Sequence, residues 1–489
     1  MNSLILGIDA ADLVTFQKLD LPFINSLLNK GTNLNLKLDL FSRGWSEILY
    51  GTNGRNLRAL YKYPILDGSH KSTGVFRTPE EDDLLRVSAL WKEFSKKNLS
   101  VGLLNVPGTF PAPKIDKGFI VSGAGGGSPN DGKALVDEQV CSSEKVFEVV
   151  KNSGYVGDVR FSKRRFESHE IFFKSLMEHD KSIASTYLKL VKEFNPSIGF
   201  VVFTAFNRLS GVYRWHLENP NKNNNIDKLI KNYMLSFDKT IEKLFNSIKP
   251  DSFILTSDHG HTPRLYDFNI NKLLQNNNFQ IVNSKKLNFK NKIKLYLINS
   301  IKKSVDKNLI KKISSKLSKK YIGDLKDARN NLNINWSNSK AFGFRHIPGI
   351  YINDKRFDGL ITEEEKPKFI EKIIKTLNNN PELKEHKIIF EHYKSEYECF
   401  KYSNYLPDIW INLPKGYFPV EEGDKVMNTN ENYNPINDLR KVKEDMNAAI
   451  KSTTPLACVS SLFSNQLKQN DFPNDLTAIN ILIRSINKS

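Results

Sequence analysis

Cysteine is scarce in this sequence. Among 489 residues only Cys141, Cys399 and Cys458 occur, far apart and without a CxxC pair. That speaks against a disulfide framework and against a thiolate zinc site, and leaves buried free thiols in a reducing compartment as the expectation. Long apolar runs are missing too. No stretch reaches the roughly 18 apolar residues of a membrane helix, so no membrane span is expected. The first apolar run, Leu4 to Ile8, is short, lacks a cationic start and is closed by Asp9. It does not fit a secretory leader, and a cytoplasmic protein is expected. Acidic residues are outnumbered, 54 Asp+Glu against 72 Lys+Arg, for a net charge of +18. No RNA- or DNA-binding motif accompanies the excess, and Asn and Lys crowd the whole chain, as at 221–225. The charge is therefore read as a compositional bias, with no nucleic-acid partner expected.

What is present is enough for a core. Apolar residues make up 39% and aromatics 11% of the chain. The length exceeds one compact core, so one large domain with insertions or two domains is expected. Leu4–Ile8, Val101–Val106, Gly118–Ser122, Ile198–Phe203 and Ser252–Thr256 are continuous apolar runs. Continuous runs, unlike alternating ones, fit a parallel sheet covered by helices on both faces. Pro22 to Leu28 has helical spacing and stops at Gly31. The span 283–335, rich in Lys, Asn and Leu, reads as an inserted basic helical segment. A further α+β stretch runs over 342–419, and a last helix over Leu476 to Ile486. The fold class is α/β, with a mostly parallel sheet sandwiched by helices.

In such sheets the chemistry lies beyond the carboxyl ends of strands. Asp9, Asn207 and Asp258 each follow shortly after an apolar run. Asp258 and His259 stand side by side in Ser257-Asp-His-Gly260, where a carboxylate and an imidazole can hold one divalent cation or can serve a turn. Asp9 could supply a third ligand. Ser42, in Phe41-Ser-Arg-Gly-Trp-Ser-Glu47, sits at a helix entry, where it is either a cap or a hydroxyl activated by the helix dipole and a metal. Arg43 beside it could hold phosphate oxygens bidentately.

Taken in chain order, these pieces resemble the type I phosphodiesterase/nucleotide pyrophosphatase branch of the alkaline-phosphatase superfamily. Ile5-Leu-Gly-Ile-Asp-Ala-Ala11 is similar to the opening strand with its metal aspartate. Leu21 to Thr32 resembles the next helix, and Trp45-Ser-Glu-Ile-Leu-Tyr-Gly-Thr-Asn53 the helix after the nucleophile. Asn105-Val-Pro-Gly-Thr-Phe-Pro111, Gly118-Phe-Ile-Val-Ser-Gly123, Ser257-Asp-His-Gly260, Trp336 to Ala341, Gly349 to Asn353 and Leu406 to Trp410 follow in family order. The resemblance implies an alkaline-phosphatase-like catalytic domain formed by 1–282 and 336–489, with an inserted helical or α+β cap. It implies a hydrolase or phosphoryl transferase acting on a small phosphorylated or nucleotide-linked substrate.

The resemblance also assigns residues. Asp9, Asp258 and His259 would bind a metal, with Ser42 as nucleophile, although Ser42 stands one residue nearer Gly51 than the family spacing and Phe41 fills the family position. The family's second metal site would use positions that here read Asn207 and Gly211, and no histidine follows His392 to complete it. We therefore expect a single divalent ion, zinc or manganese before magnesium or calcium. Arg43, Arg208, Arg214 and His216 are candidates to supply the missing positive charge. His261 is expected to support the ligands from behind, ahead of His70 and His346. The alternative expectation is a non-catalytic descendant that binds a phosphorylated or nucleotide-linked ligand.

Overall fold

The computed structural model describes residues 1–79, 87–125, 137–159, 168–221, 224–283, 334–393, 398–421, 423–436, 438–439, 442, 448–468 and 472–486. The basic helical insertion expected at 283–335 lies, except for its ends, outside the described residues.

The apolar runs form the strands. In chain order these are β1 (Ser3–Ile8), β2 (Val101–Val106), β3 (Gly118–Ser122), β4 (Ile198–Phe203), β5 (Ser252–Thr256), β6 (Gly260–Pro263), β7 (Ala449–Ser452) and β8 (Ala457–Val459). Among the described residues the central sheet has seven strands, in the order Thr32–Asn33, β8, β5, β1, β4, β2, β3. Five of them, β5 to β3 in that order, are mutually parallel, and β8 runs antiparallel to β5. β1 is the centre, pairing with β4 on one side and β5 on the other.

Both sheet faces are apolar because the period-2 side chains all find a helix layer. Leu4, Leu6 and Ile8 enter one core, filled by α1 (Pro22–Lys30), α3 (His169–Phe194) and α5 (Asn225–Ile248). Ile5 enters the other, filled by α2 (Gly44–Tyr50) and α6 (Thr477–Arg484). Each fully buried Leu, Ile or Phe there contributes roughly 1.5–3 kcal/mol. The long helices start where the sequence offers caps, with Ser168 accepting from Ile171 N–H and Asn224 from Ile226 N–H.

A four-stranded antiparallel sheet stands apart, ordered Ala341–Gly343, Gly349–Ile352, Ile409–Asn412, Ile389–His392. It packs with helix Lys366–Asn378 around its own cluster. Asp354 and Asp408 there are bridged by Arg356 and Lys366, four charges that satisfy one another.

Candidate active site

Three neighbouring strands deliver the site. Asp9 follows β1, Asp258 and His259 fill the turn between β5 and β6, and Asn207 lies in the first turn of α4 (Ala205–Glu218), just after β4. Because β5, β1 and β4 are adjacent and parallel, all three carboxyl ends open at one edge. α2 starts against the same edge. A Cβ at Gly44 would collide with the Asp258 carbonyl oxygen, so only glycine lets this helix entry approach so closely.

The ligand atoms of Asp9, Asp258 and His259 lie within 4.8 Å of one another. His259 Nδ1 is 2.9 Å from the Gly260 carbonyl oxygen, which can only accept, so Nδ1 carries the proton. The Nε2 lone pair then faces Asp9 Oδ1 at 3.8 Å and Asp258 Oδ2 at 3.5 Å. Burial keeps this imidazole neutral, depressing it to about 3. Asp9 is pushed up to about 7, first by burial and then by the Asp258 charge. Asp258 is raised as well, by burial, and its buried Oδ1 has no hydrogen-bond partner. A lone pair facing two carboxylates, with an orphaned carboxylate oxygen beside it, is repulsive until a proton or a cation enters. The donor set fits a divalent metal bound through carboxylate oxygens and one imidazole nitrogen.

Surrounding groups orient this trio. Asn207 Nδ2 donates to Asp9 Oδ1 at 2.9 Å. An aspartate at that position would add a third carboxylate; the amide instead supplies a donor. Gly211 accepts a backbone hydrogen bond from Ala448 N–H and so joins α4 to the start of β7. Tyr61 donates its hydroxyl to Asp258 Oδ2 at 2.9 Å and stands edge-on to the His259 ring. Lys451, on β7, lays its Nζ over the Tyr61 ring at 2.7 Å from the centroid. Burial lowers the Lys451 ammonium to about 7, against the pull of Asp258. Tyr61 and Lys451 carry no motif, and sequence reasoning passed over both. A lysine on a short apolar strand near the end of the chain was the only available signal.

The Ser42 hydroxyl has other partners. Its Oγ accepts from Gly54 N–H at 2.7 Å and is hydrogen-bonded to the Glu47 side chain. The cap position of α2 belongs to Arg43, so Ser42 does not cap this helix. Glu47 is buried, and burial pushes its carboxyl up to about 8. Arg43 donates from Nε to Leu60 O at 3.0 Å and from Nη2 to Gly74 O, with its guanidinium beside the Tyr61 and Phe76 rings.

The other cations singled out in the sequence have acidic partners. Arg208 grips Asp158 through Nε and Nη2 at 3.1 and 2.6 Å. Arg214 bridges Asp12 and Glu218, and His216 pairs with Asp227 at 3.0 Å. His261 stands beside His259, with ring centroids 5.3 Å apart, but neither of its ring nitrogens bonds a ligand residue. His70 stacks on Trp336 and bonds Asn353, while His346 packs edge-on against Phe418. Cys141 and Cys458 are buried, but Cys399 is exposed, contrary to the expectation of three buried thiols. A cleft of about 1870 Å³ runs beside the trio, with Tyr61, Arg214, His261 and Lys451 in its wall but not Asp9, Asp258 or His259. Among the described residues, no helix is long and apolar enough to cross a membrane.

Comparison with known proteins agrees with this architecture. A phosphonoacetate hydrolase from Sinorhizobium meliloti 1021, solved with phosphonoformate bound, superposes with a TM-score of 0.55 at 9% identity, covering 99% of this chain and 95% of that one. Human ectonucleotide pyrophosphatase/phosphodiesterase 5 aligns with a TM-score of 0.45 at 11% identity, covering 100% and 96%. No protein of curated function matches the chain in sequence. The family model for type I phosphodiesterase/nucleotide pyrophosphatase matches residues 60–439, a span that holds Asn207, Asp258 and His259 but neither Asp9, Ser42 nor Lys451. The chain belongs to the type I phosphodiesterase/nucleotide pyrophosphatase family, hydrolases of the alkaline-phosphatase superfamily.

Proposed function

We propose that the chain is a metal-dependent hydrolase of phosphoesters or phosphodiesters, or a phosphoryl transferase, working with one divalent ion held by Asp9, Asp258 and His259. The observation that carries this reading is the convergence of those three side chains, with the His259 Nε2 lone pair facing both carboxylates. Family membership supports phosphoester hydrolysis as the reaction class. A divalent ion bound there supplies Lewis acidity toward a phosphoryl oxygen and makes a nucleophilic oxygen less costly to deprotonate.

The remaining steps belong to the chain. Asn207 and Tyr61 fix the two carboxylates through one hydrogen bond each. Ser42 is our candidate nucleophile. In its attack the Ser42 Oγ–phosphorus bond forms, the bond to the leaving oxygen breaks, and the hydroxyl proton passes to Glu47 in its ionised form, which burial confines to pH near or above about 8. To attack, the hydroxyl must release Gly54 N–H. Water then cleaves the phosphoserine, or another hydroxyl takes the phosphoryl group. Arg43 places a positive charge beside Asp258 and Tyr61.

The engagement of Ser42 by Gly54 and Glu47 favours a second reading, a non-catalytic descendant that binds a small phosphorylated or nucleotide-linked ligand through the same trio. Turnover of p-nitrophenyl phosphate and bis-p-nitrophenyl phosphate with zinc, manganese, magnesium and calcium decides between the two. Turnover abolished by a chelator supports the enzyme. No turnover with any ion, together with a thermal shift on adding nucleotides to metal-loaded protein, supports the binder.

A further inference from the structure

β6 and β7 form an antiparallel hairpin-like pair in which His261 and Lys451 are directly opposite, so their side chains share one face. His261 is 2% exposed, yet neither ring nitrogen has a hydrogen-bond partner. A buried imidazole with one donor and one acceptor unused is uncommon in a folded protein. Among the described residues, the Lys451 ammonium makes no ion pair or hydrogen bond, and its contact is the face of the Tyr61 ring. Arg214, across from this pair on α4, has its Nη atoms committed to Asp12, Thr15 and Glu218 but its buried Nε unpartnered. The charges acting on His261 are those of Arg214, Lys451 and Arg208, with His259 beside it. His261, Arg214 and Lys451 all line the cleft.

Unused donors beside a lysine that makes no ion pair, at a cleft wall, are complementary to an oxyanion. The metal trio already matches the reacting phosphoryl group, so these donors lie available for something else. We propose that His261, Lys451 and the Arg214 Nε–H form a subsite for a second anionic group, carried by the substrate next to its reacting phosphoryl. The substrate class is then a phosphoester or phosphoanhydride bearing an adjacent phosphate or carboxylate, in preference to one whose leaving group is neutral. This rests on the functional reading above for the location of the reacting group.

The test is calorimetric binding of three probes to metal-loaded protein: inorganic phosphate, pyrophosphate and phosphoglycolate. Binding is read directly, so the result stands whether or not an ester is turned over, and metal content is checked after each titration. The wild-type chain should bind a probe carrying two anionic groups at least 10-fold more tightly than inorganic phosphate. Preference for pyrophosphate alone identifies the second group as a phosphate. Preference for both probes identifies any oxyanion, and preference for phosphoglycolate alone a carboxylate. Lys451→Met should abolish the preference with metal content unchanged, Lys451→Arg should keep it, and His261→Phe should weaken it. Equal binding of all three probes by the wild type, or a preference that survives Lys451→Met, overturns the subsite. Failure to bind metal and inorganic phosphate at all would instead sink the functional reading, and the subsite with it.

Discussion

The Tyr61 hydroxyl donates to Asp258 Oδ2 at 2.9 Å, and the same ring lies beneath the Lys451 ammonium. One aromatic side chain thus fixes a ligand carboxylate and seats a cation beside it. Groups that orient metal ligands typically change affinity by about 10–100-fold when removed. Tyr61→Phe keeps the ring and deletes the hydrogen bond. It should weaken metal binding by about that factor while leaving the melting temperature nearly unchanged. An unaltered dissociation constant in calorimetry would show that Asp258 is oriented by other contacts.

Ser42 offers a sharp kinetic test. Removing a nucleophile on which a covalent mechanism depends costs on the order of 1000-fold or more in kcat. Ser42→Ala should show that loss without losing metal. Wild-type turnover in the Ser42→Ala variant would mean that a hydroxyl other than Ser42, or water, attacks phosphorus.

Glu47 couples the nucleophile's neighbourhood to pH. Its folded-state carboxyl is raised from 4.5 to about 8 by burial, so the folded chain holds a proton that the unfolded chain has released. Between those values the folded state binds more protons, and stability must fall as pH rises from about 4.5 to about 8, then level off. The total is on the order of a few kcal/mol. Glu47→Gln keeps the shape and removes the titration. Melting temperatures from pH 5 to 8 should decline more steeply for the wild type than for this variant, and parallel curves would contradict the shift.

Gly44 is the hinge between the helix layer and the site. A methyl group there runs into the Asp258 carbonyl oxygen, which is backbone and has little room to retreat. Gly44→Ala should destabilise the chain by about 1–3 kcal/mol. It should also weaken metal binding, because the turn carrying Asp258 and His259 must shift. A variant as stable as wild type in urea titration would mean that α2 docks more loosely than described.

Much of the fold was legible because the five parallel strands are continuous apolar runs, each bounded by polar residues. Their carboxyl ends pointed to Asp9, Asn207 and Asp258, and the structure places these side chains together. What the sequence hid is tertiary. Tyr61 comes from an irregular segment and Lys451 from a four-residue strand, and neither has a local pattern that links it to Asp258. Arg208 and Arg214 were candidates for the missing charge because Asp158 and Asp12 lie far away in the chain, although Glu218, one helical turn after Arg214, was within reach of the sequence. The partners of Ser42 were equally hidden. Gly54 reaches the hydroxyl through a turn that follows α2, and Glu47 does so from within the helix.

The central claim is one divalent ion on Asp9, Asp258 and His259, and metal stoichiometry tests it most directly. Protein stripped with chelator, reloaded with zinc or manganese and desalted should retain one equivalent per chain by mass spectrometry. Asp258→Asn and His259→Ala should retain close to none. Two equivalents in the wild type, or one equivalent that persists in both variants, would contradict the account.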